Sequence, residues 1–223
     1  MLYAEENVKA NIRNRDGKRV FYLADGDTLT PSARDFLSRE RIEILPASSA
    51  RPEEYVLESG GILREKPEHY THLRGNILVP KTHPVIAFRG AMDFLQAHLL
   101  LTQQLSGESL RKELQEILDL ARNVLRWDVM QEPAKLDRLC GLTQAQMRQR
   151  SHHPEQYYGT PHFMPQCTDT ALLLQLNLCR CAARQAELAA AHAFGQARGD
   201  LIQVLNRMSS MLYLLMLREK TQR

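Results

Sequence analysis

The chain has 223 residues, 43% hydrophobic and 25% charged, which suits a globular protein of one domain plus an appendage. Lys and Arg total 29 against 26 Asp and Glu; a formal charge of +3 excludes a nucleic-acid coat, because polyanion binders cluster their basic residues. There is no run of about 18 apolar residues to span a membrane, and the opening MLYAEENVKA lacks a basic-then-apolar signal pattern, so a soluble, cytoplasmic protein is expected.

Two regions are expected: a small strand-helix-strand region with its linker over 1–75, and a helical bundle over 76–223. In the first, Arg19–Leu23 (RVFYL) and Arg41–Leu45 (RIEIL) read as short strands. Between them, Asp25, Gly26 and Asp27 are turn residues. Thr30 followed by Pro31 reads as an N-cap with proline in the first helical turn. The stretch 47–74, rich in Pro, Glu, Ser and Gly, reads as a linker or mobile loop.

Helical periodicity dominates from Val85. A first helix over Val85–Leu105 carries Phe88, Met92, Leu95 and Leu99 and stops near Ser106-Gly107. A second over Glu108–Asp128 places Leu110, Leu114, Ile117, Leu118, Ala121, Val124 and Leu125 at three- and four-residue steps. Pro133–Arg150 offers two shorter pieces separated near Cys140-Gly141. Ser151–Thr168 holds Pro154, Gly159, Pro161 and Pro165 and reads as a long loop, a length usually tied to function. Two long helices follow, Asp169–Gln196 with Thr168 as candidate cap, and Leu201–Glu219. The expected fold is mainly α, an antiparallel bundle of about five helices with a small α+β N-terminal region.

Charged residues on apolar helices are the informative positions. Asn177, Arg180, Arg184 and Glu187 fall at relative positions 0, 3, 7 and 10, which is one helical stripe. Apolar flanks push that stripe from a solvated face toward a cleft or interface, where arginine needs an anionic partner. The final helix sets Asn206-Arg207 and Ser209-Ser210 among leucine and methionine. Guanidinium forks there suit phosphate oxygens. Lys81 precedes a helix N-terminus, where the free amides already favour an anion. Within that helix, Gly90 suggests close approach of a backbone or ligand. Asp93 reads either as an exposed charge pairing with Arg89 or as the partner of an arginine on another helix or subunit.

The cysteines, Cys140, Cys167, Cys179 and Cys181, form neither CxxC pairs nor a disulfide framework and read as reduced, core-lining residues. His69 and His72 are three apart and His152 and His153 adjacent, with no cysteine beside them, so no metal site is expected. No P-loop, GxGxxG or Ser/His/Asp nucleophile motif is present.

Four stretches together resemble the cobalamin adenosyltransferases built on a five-helix bundle, most closely the ethanolamine-utilisation type. They are DTLTPSARDFL at 27–37, KTHPVIAFRGAMDFL at 81–95, LNLCRCAARQAE at 176–187 and VLNRMSSMLYLLML at 204–217. The resemblance implies that the cobalt of cob(I)alamin attacks the 5′-carbon of ATP, giving adenosylcobalamin and triphosphate. It implies ATP, with Mg2+, and cobalamin as substrates. Catalytic roles fall to Arg180, Arg184 and Asp93, and ATP contacts to Lys81, Arg184, Glu187, Asn206 and Arg207. Phe163 and Met164, in the loop YGTPHFMP, would meet the corrin, with Phe163 displacing the lower cobalt ligand. Asp93 and Arg180 match a pair bridging neighbouring subunits of a homo-oligomer, trimer or dimer, with the active site between them.

The implied partners are an electron donor such as a reduced flavin or flavodoxin, and ethanolamine ammonia-lyase or its reactivation system, with a bacterial microcompartment as setting. The chain departs from the family pattern in three places. It lacks the N-terminal Thr-Gly-Asp phosphate loop, and Gln185 replaces the second arginine of an RR pair. It also has no cysteine before Cys140 where enteric relatives carry a His and Cys-Cys-x-x-Cys metal motif, so metal-independent activity is expected. The competing readings are an adenosylcobalamin or ATP carrier without turnover, and a helical scaffold.

Overall fold

A computed structural model describes residues 1–49 and 54–221. The chain is mainly helical and forms two compact units, Met1–His83 and Pro84–Arg223.

The first unit opens with β1 (Leu2–Tyr3), α1 (Glu5–Ala10), β2 (Arg13–Arg15), β3 (Lys18–Leu23), β4 (Thr28–Leu29), α2 (Pro31–Arg39) and β5 (Glu43–Pro46). The strand–turn–helix–strand reading is realised here. β3 and β5 pair in parallel, with α2 as the crossover. Thr30 Oγ1 accepts the Ala33 N–H at 3.3 Å and Pro31 fills the first helical position, where its missing N–H costs nothing. Phe21, Ala33 and Leu37 are buried together with Val8.

The stretch 47–74 is not a linker: residues 50–53 lie outside the described ones, but beyond them the chain pairs. β6 (Tyr55–Leu57), β7 (Ile62–Leu63), β8 (Tyr70–Arg74) and β9 (Ile77–Pro80) form a sheet in the order β7-β6-β9-β8. The β8–β9 hairpin crosses position 75/76, where the sequence reading set its boundary, and the chain divides only after it. Gly75, at φ +52°, packs so close that a Cβ would stand 2.3 Å from the Ile12 carbonyl oxygen. Beside it the Asn76 side chain accepts the Asn14 N–H at 2.8 Å and donates to the carbonyls of Asn14 and Glu54. These side-chain bonds, invisible to composition, order the segment.

The second unit contains α3 (Pro84–Leu105), α4 (Glu108–Met130), the hairpin β10 (Arg138–Leu139) and β11 (Leu142–Thr143), α5 (Gln144–His152), α6 (Pro154–Tyr158), α7 (Ala171–Phe194) and α8 (Gly199–Thr221). α7 packs against both α3 and α8, α4 against α3, and α5 against α8. Phe88, Met92, Leu95 and Leu99 of α3 meet Leu176, Cys179, Ala183 and Ala186 of α7 and Leu205, Met208 and Leu212 of α8 in one core. No helix among the described residues is long and apolar enough to cross a membrane.

Pro133–Arg150 gives one helix rather than two. The Asp200 carboxylate accepts the Ala134 N–H at 2.7 Å and Gln144 Nε2 donates to the Leu136 carbonyl at 2.6 Å, so side chains satisfy this backbone without a helix. Cys140 (φ +48°) and Gly141 (φ +77°) then form the two-residue turn of the β10–β11 hairpin. The loop 151–168 contains α6, and α7 is capped by Thr170, not Thr168, through the Leu173 N–H at 3.1 Å. The chain turns at the buried Asp169, which accepts the Gln166 N–H and pairs with Lys220 at 2.6 Å.

Arg89 pairs with the fully buried Asp128 of α4 at 2.9 Å, not with Asp93. A long-range carboxylate inside the fold outcompetes the solvated neighbour four residues along. Gly90 is exposed, with open space where a Cβ would stand, so no backbone among the described residues makes the close approach its glycine suggested.

Of the cysteines only Cys179 is buried. Cys140 is half-buried, and Cys167 and Cys181 are exposed, against the expectation of four core-lining thiols. Burial pushes Cys140 up to about 12, helped by Glu116 and Glu113, and Cys179 up to about 11 against its hydrogen bond with Thr102.

Asp128→Ala removes the buried carboxylate with which Arg89 pairs. Breaking a buried pair costs about 3 kcal/mol at the low end of its range, which applies because Arg89 keeps some water; urea unfolding should show that loss. Since thiolates are the reactive form, alkylation of native protein at pH 8 followed by peptide mass analysis should label Cys167 and Cys181, and Cys140 and Cys179 only after unfolding.

Candidate functional site

Three helices of the second unit, α5, α7 and α8, build the site. α7 and α8 are linked across their seam by Asn206 Nδ2, which donates to Glu187 Oε1 at 2.9 Å. α5 lies along α8 with Gln203 donating to Gln144 at 2.9 Å. One turn on from that pair in both helices stand Arg207 and Arg148. Burial, and then the Arg148 guanidinium, lower Arg207 below the usual arginine range, with Glu187 opposing. Positive charge therefore gathers where these helices meet.

Two clefts open on this seam. The first, of about 510 Å³, is lined by Arg180 and Arg184 from α7 and by Ser209, Ser210 and Tyr213 from α8. Ser151 and His152 of α5 and the loop residues His162–Pro165 complete it. The second, of about 570 Å³, is lined by Cys181, Arg184, Gln185, Glu187 and Leu188 of α7 with Ile202 and Asn206 of α8. Arg184 lines both. It is exposed, and among the described residues no hydrogen bond or ion pair holds it. Arg180 is half-buried, and its Nε and Nη2 donate to Asn177 Oδ1 at 3.2 and 3.0 Å, so an amide orients it and no acid among the described residues pairs with it.

No ion pair forms within the α7 stripe among the described residues, since Glu187 is turned to Asn206. Glu187 is the only acid among the described residues lining either cleft. The Ser209 and Ser210 hydroxyls donate to the Asn206 carbonyl at 2.9 and 3.0 Å.

The loop side of the first cleft is apolar and aromatic. Phe163 is half-buried against the core, whereas Met164 is 83% exposed at the cleft edge. Phe163 lies over Tyr213 with ring centroids 6.2 Å apart and an interplanar angle of 25°. Lys220 sits 5.5 Å from the Phe163 ring centre. Burial pushes the Tyr213 phenol up, against the pull of the Phe163 N–H and the Arg180 charge.

The structure thus joins Arg180, Arg184, Phe163 and Met164 in one cleft, and Arg184, Glu187 and Asn206 in the next, with Arg207 beside them. Asp93 is exposed on α3 and lines neither cleft. Lys81 belongs to the first unit, where its ammonium pairs with Glu68 at 2.8 Å and holds that carboxyl below the usual range. Sequence reasoning missed Tyr213, Arg148 and His162. Tyr213 continues the polar spacing 206, 209/210, 213 and was legible on that ground; Arg148 and His162 needed the packing of α5 and the loop. Among the described residues no group of three or more His, Cys, Asp or Glu is placed to hold a metal ion.

Arg180 and Arg184, which no described acid pairs with, open beside an aromatic wall, an arrangement able to hold an anion next to a large, largely apolar ligand. Residues 62–219 match the model of the cobalamin adenosyltransferase family. The corrinoid adenosyltransferase EutT of Salmonella typhimurium is 28% identical, over 94% of this chain and 89% of its own length. That of Escherichia coli K12 is 27% identical, over 96% and 91%. No solved structure matches the chain. With the family model covering well over half of its residues, the chain belongs to the cobalamin adenosyltransferases, a family of transferases acting on cobalamin.

Proposed function

We propose that the protein transfers the 5′-deoxyadenosyl group of ATP to cob(I)alamin, releasing triphosphate. The observation that carries this reading is the placement of Arg184, shared by an aromatic-walled cleft and a cleft edged by Glu187 and Asn206. A transfer between two substrates requires adjoining sites, and these two clefts share Arg184. The cobalt electron pair attacks C5′, a cobalt–carbon bond forms, and the C5′–oxygen bond breaks with its electrons left on triphosphate. Cob(I)alamin is itself the nucleophile, so the chain need supply no base; it orients the two reactants and meets the developing charge. Arg184 and Arg207 face the phosphates, Asn206 and Glu187 hold the nucleotide, and Phe163 with Met164 walls the corrin. Magnesium would arrive on the phosphates, with Glu187 as the acid within reach of it.

The roles of Lys81 at a phosphate, and of Asp93 against Arg180 of a neighbouring subunit, rest on the family resemblance. A homo-oligomer is supported by the exposed Phe94, Leu101 and Leu105 of α3 and Leu174, Leu178 and Leu188 of α7, on two helices that pack together. The likeness to the EutT proteins supports a place in ethanolamine utilisation, with adenosylcobalamin passing to ethanolamine ammonia-lyase and a reduced flavin or flavodoxin supplying the electron.

Anaerobic incubation with ATP and chemically reduced cobalamin should give a light-sensitive cobalt–carbon bond. Tight binding of adenosylcobalamin without turnover would instead make the protein a carrier. Arg184→Ala should lower turnover by about 100-fold, the scale of one lost contact to developing charge, with the melting temperature unchanged because the side chain is exposed and unbonded.

A further inference from the structure

The loop bearing Phe163 and Met164 has few means of holding its shape. It runs from Gly159 to Thr170 without regular structure, yet it must present an aromatic wall at a fixed height over the cleft. Three α8 side chains fasten it. Lys220 pairs with the buried Asp169 at 2.6 Å, and Glu219 accepts from Thr170 Oγ1 at 3.0 Å, both at the base of α7. The third lies within the cleft: His162 Nδ1 and Tyr213 Oη share a hydrogen bond of 2.8 Å. The His162 ring also stacks on Tyr213, with centroids 5.7 Å apart and an angle of 16°. Tyr213 therefore contacts two consecutive loop residues, His162 by bond and ring and Phe163 by ring. Fifty-one residues separate the bonded partners, so this contact ties the middle of the loop to a helix distant in the chain.

We propose that Tyr213 is a positioning residue for the corrinoid: through His162 it sets the height of the Phe163–Met164 wall over the first cleft. The inference rests on the adenosyltransferase reading for its substrate, but the latch itself is a property of the free protein. Phe163 and Met164 line the first cleft, while Glu187 and Asn206 line only the second. Loosening the loop should therefore weaken use of the corrinoid and spare use of ATP.

The test uses Tyr213→Phe, which keeps the ring and removes the hydroxyl, His162→Ala, and His162→Asn, which keeps a polar atom near the position of Nδ1. Tyr213→Phe and His162→Ala should each raise the KM for reduced cobalamin about fivefold, the worth of one neutral hydrogen bond, with the KM for ATP within twofold. His162→Asn should recover most of the loss, and the double variant Tyr213→Phe/His162→Ala should be no worse than the poorer single one. Equal effects on both substrates, no effect on cobalamin, or multiplying losses would overturn the assignment. Amide hydrogen exchange at 159–166, measured without substrate, should quicken in Tyr213→Phe and His162→Ala while α7 and α8 stay protected; unchanged exchange sinks the latch. A wild-type protein that makes no adenosylcobalamin would refute the proposed reaction and with it the corrinoid role given to Tyr213, and the exchange measurement alone would then decide whether the latch exists.

Discussion

The small inward face of α7 is the constraint on which the rest of the second unit depends. Ala182, Ala183, Ala186 and Ala190 are buried where longer side chains would hold neighbouring helices apart, and α7 packs on both α3 and α8. Interaxial distance follows the side chains at the contact, so alanine there brings α8 close enough for Asn206 to bond Glu187 across the seam. The same helix carries Arg180 and Arg184 at its rim, one and two turns along. Close packing inside and charge at the edge are therefore products of a single 3.6-residue repeat. A bulkier residue at Ala183 or Ala186 would act on the cleft by moving α8, without touching a site residue.

The sequence showed this repeat plainly, because four long helices each keep an apolar stripe for twenty residues or more. It also showed the polar stripe on α7 and the collar on α8, since a bundle has no use for them. What it hid depends on partners distant in the chain. Arg89 had an acid four residues away in Asp93, yet its carboxylate is Asp128, 39 residues on. Cys181 looked like Cys179 in composition, but two steps of a helix carry it from the core to the cleft rim.

The segment 54–80 was hidden differently. Its strands are two to five residues long and their alternation is too brief to read, while the glycines and glutamates between them mimic a tether. Order there comes from Asn76 and from the one place where Gly75 alone fits. In the cleft, Tyr213 illustrates the general case. Its helical spacing was visible, but the loop it touches could be found only by folding the chain.

Among the described residues Arg180 is oriented by an amide from its own helix rather than by an acid. An ion-paired arginine must give up one carboxylate before it can take another anion, and that exchange adds a barrier to association. Here the amide sets the guanidinium plane and leaves its positive charge in full, to be met by an anionic ligand or by the acid of a neighbouring subunit. The Asn177–Arg180 pair thus fixes direction without consuming charge, and it does so with two residues one helical turn apart.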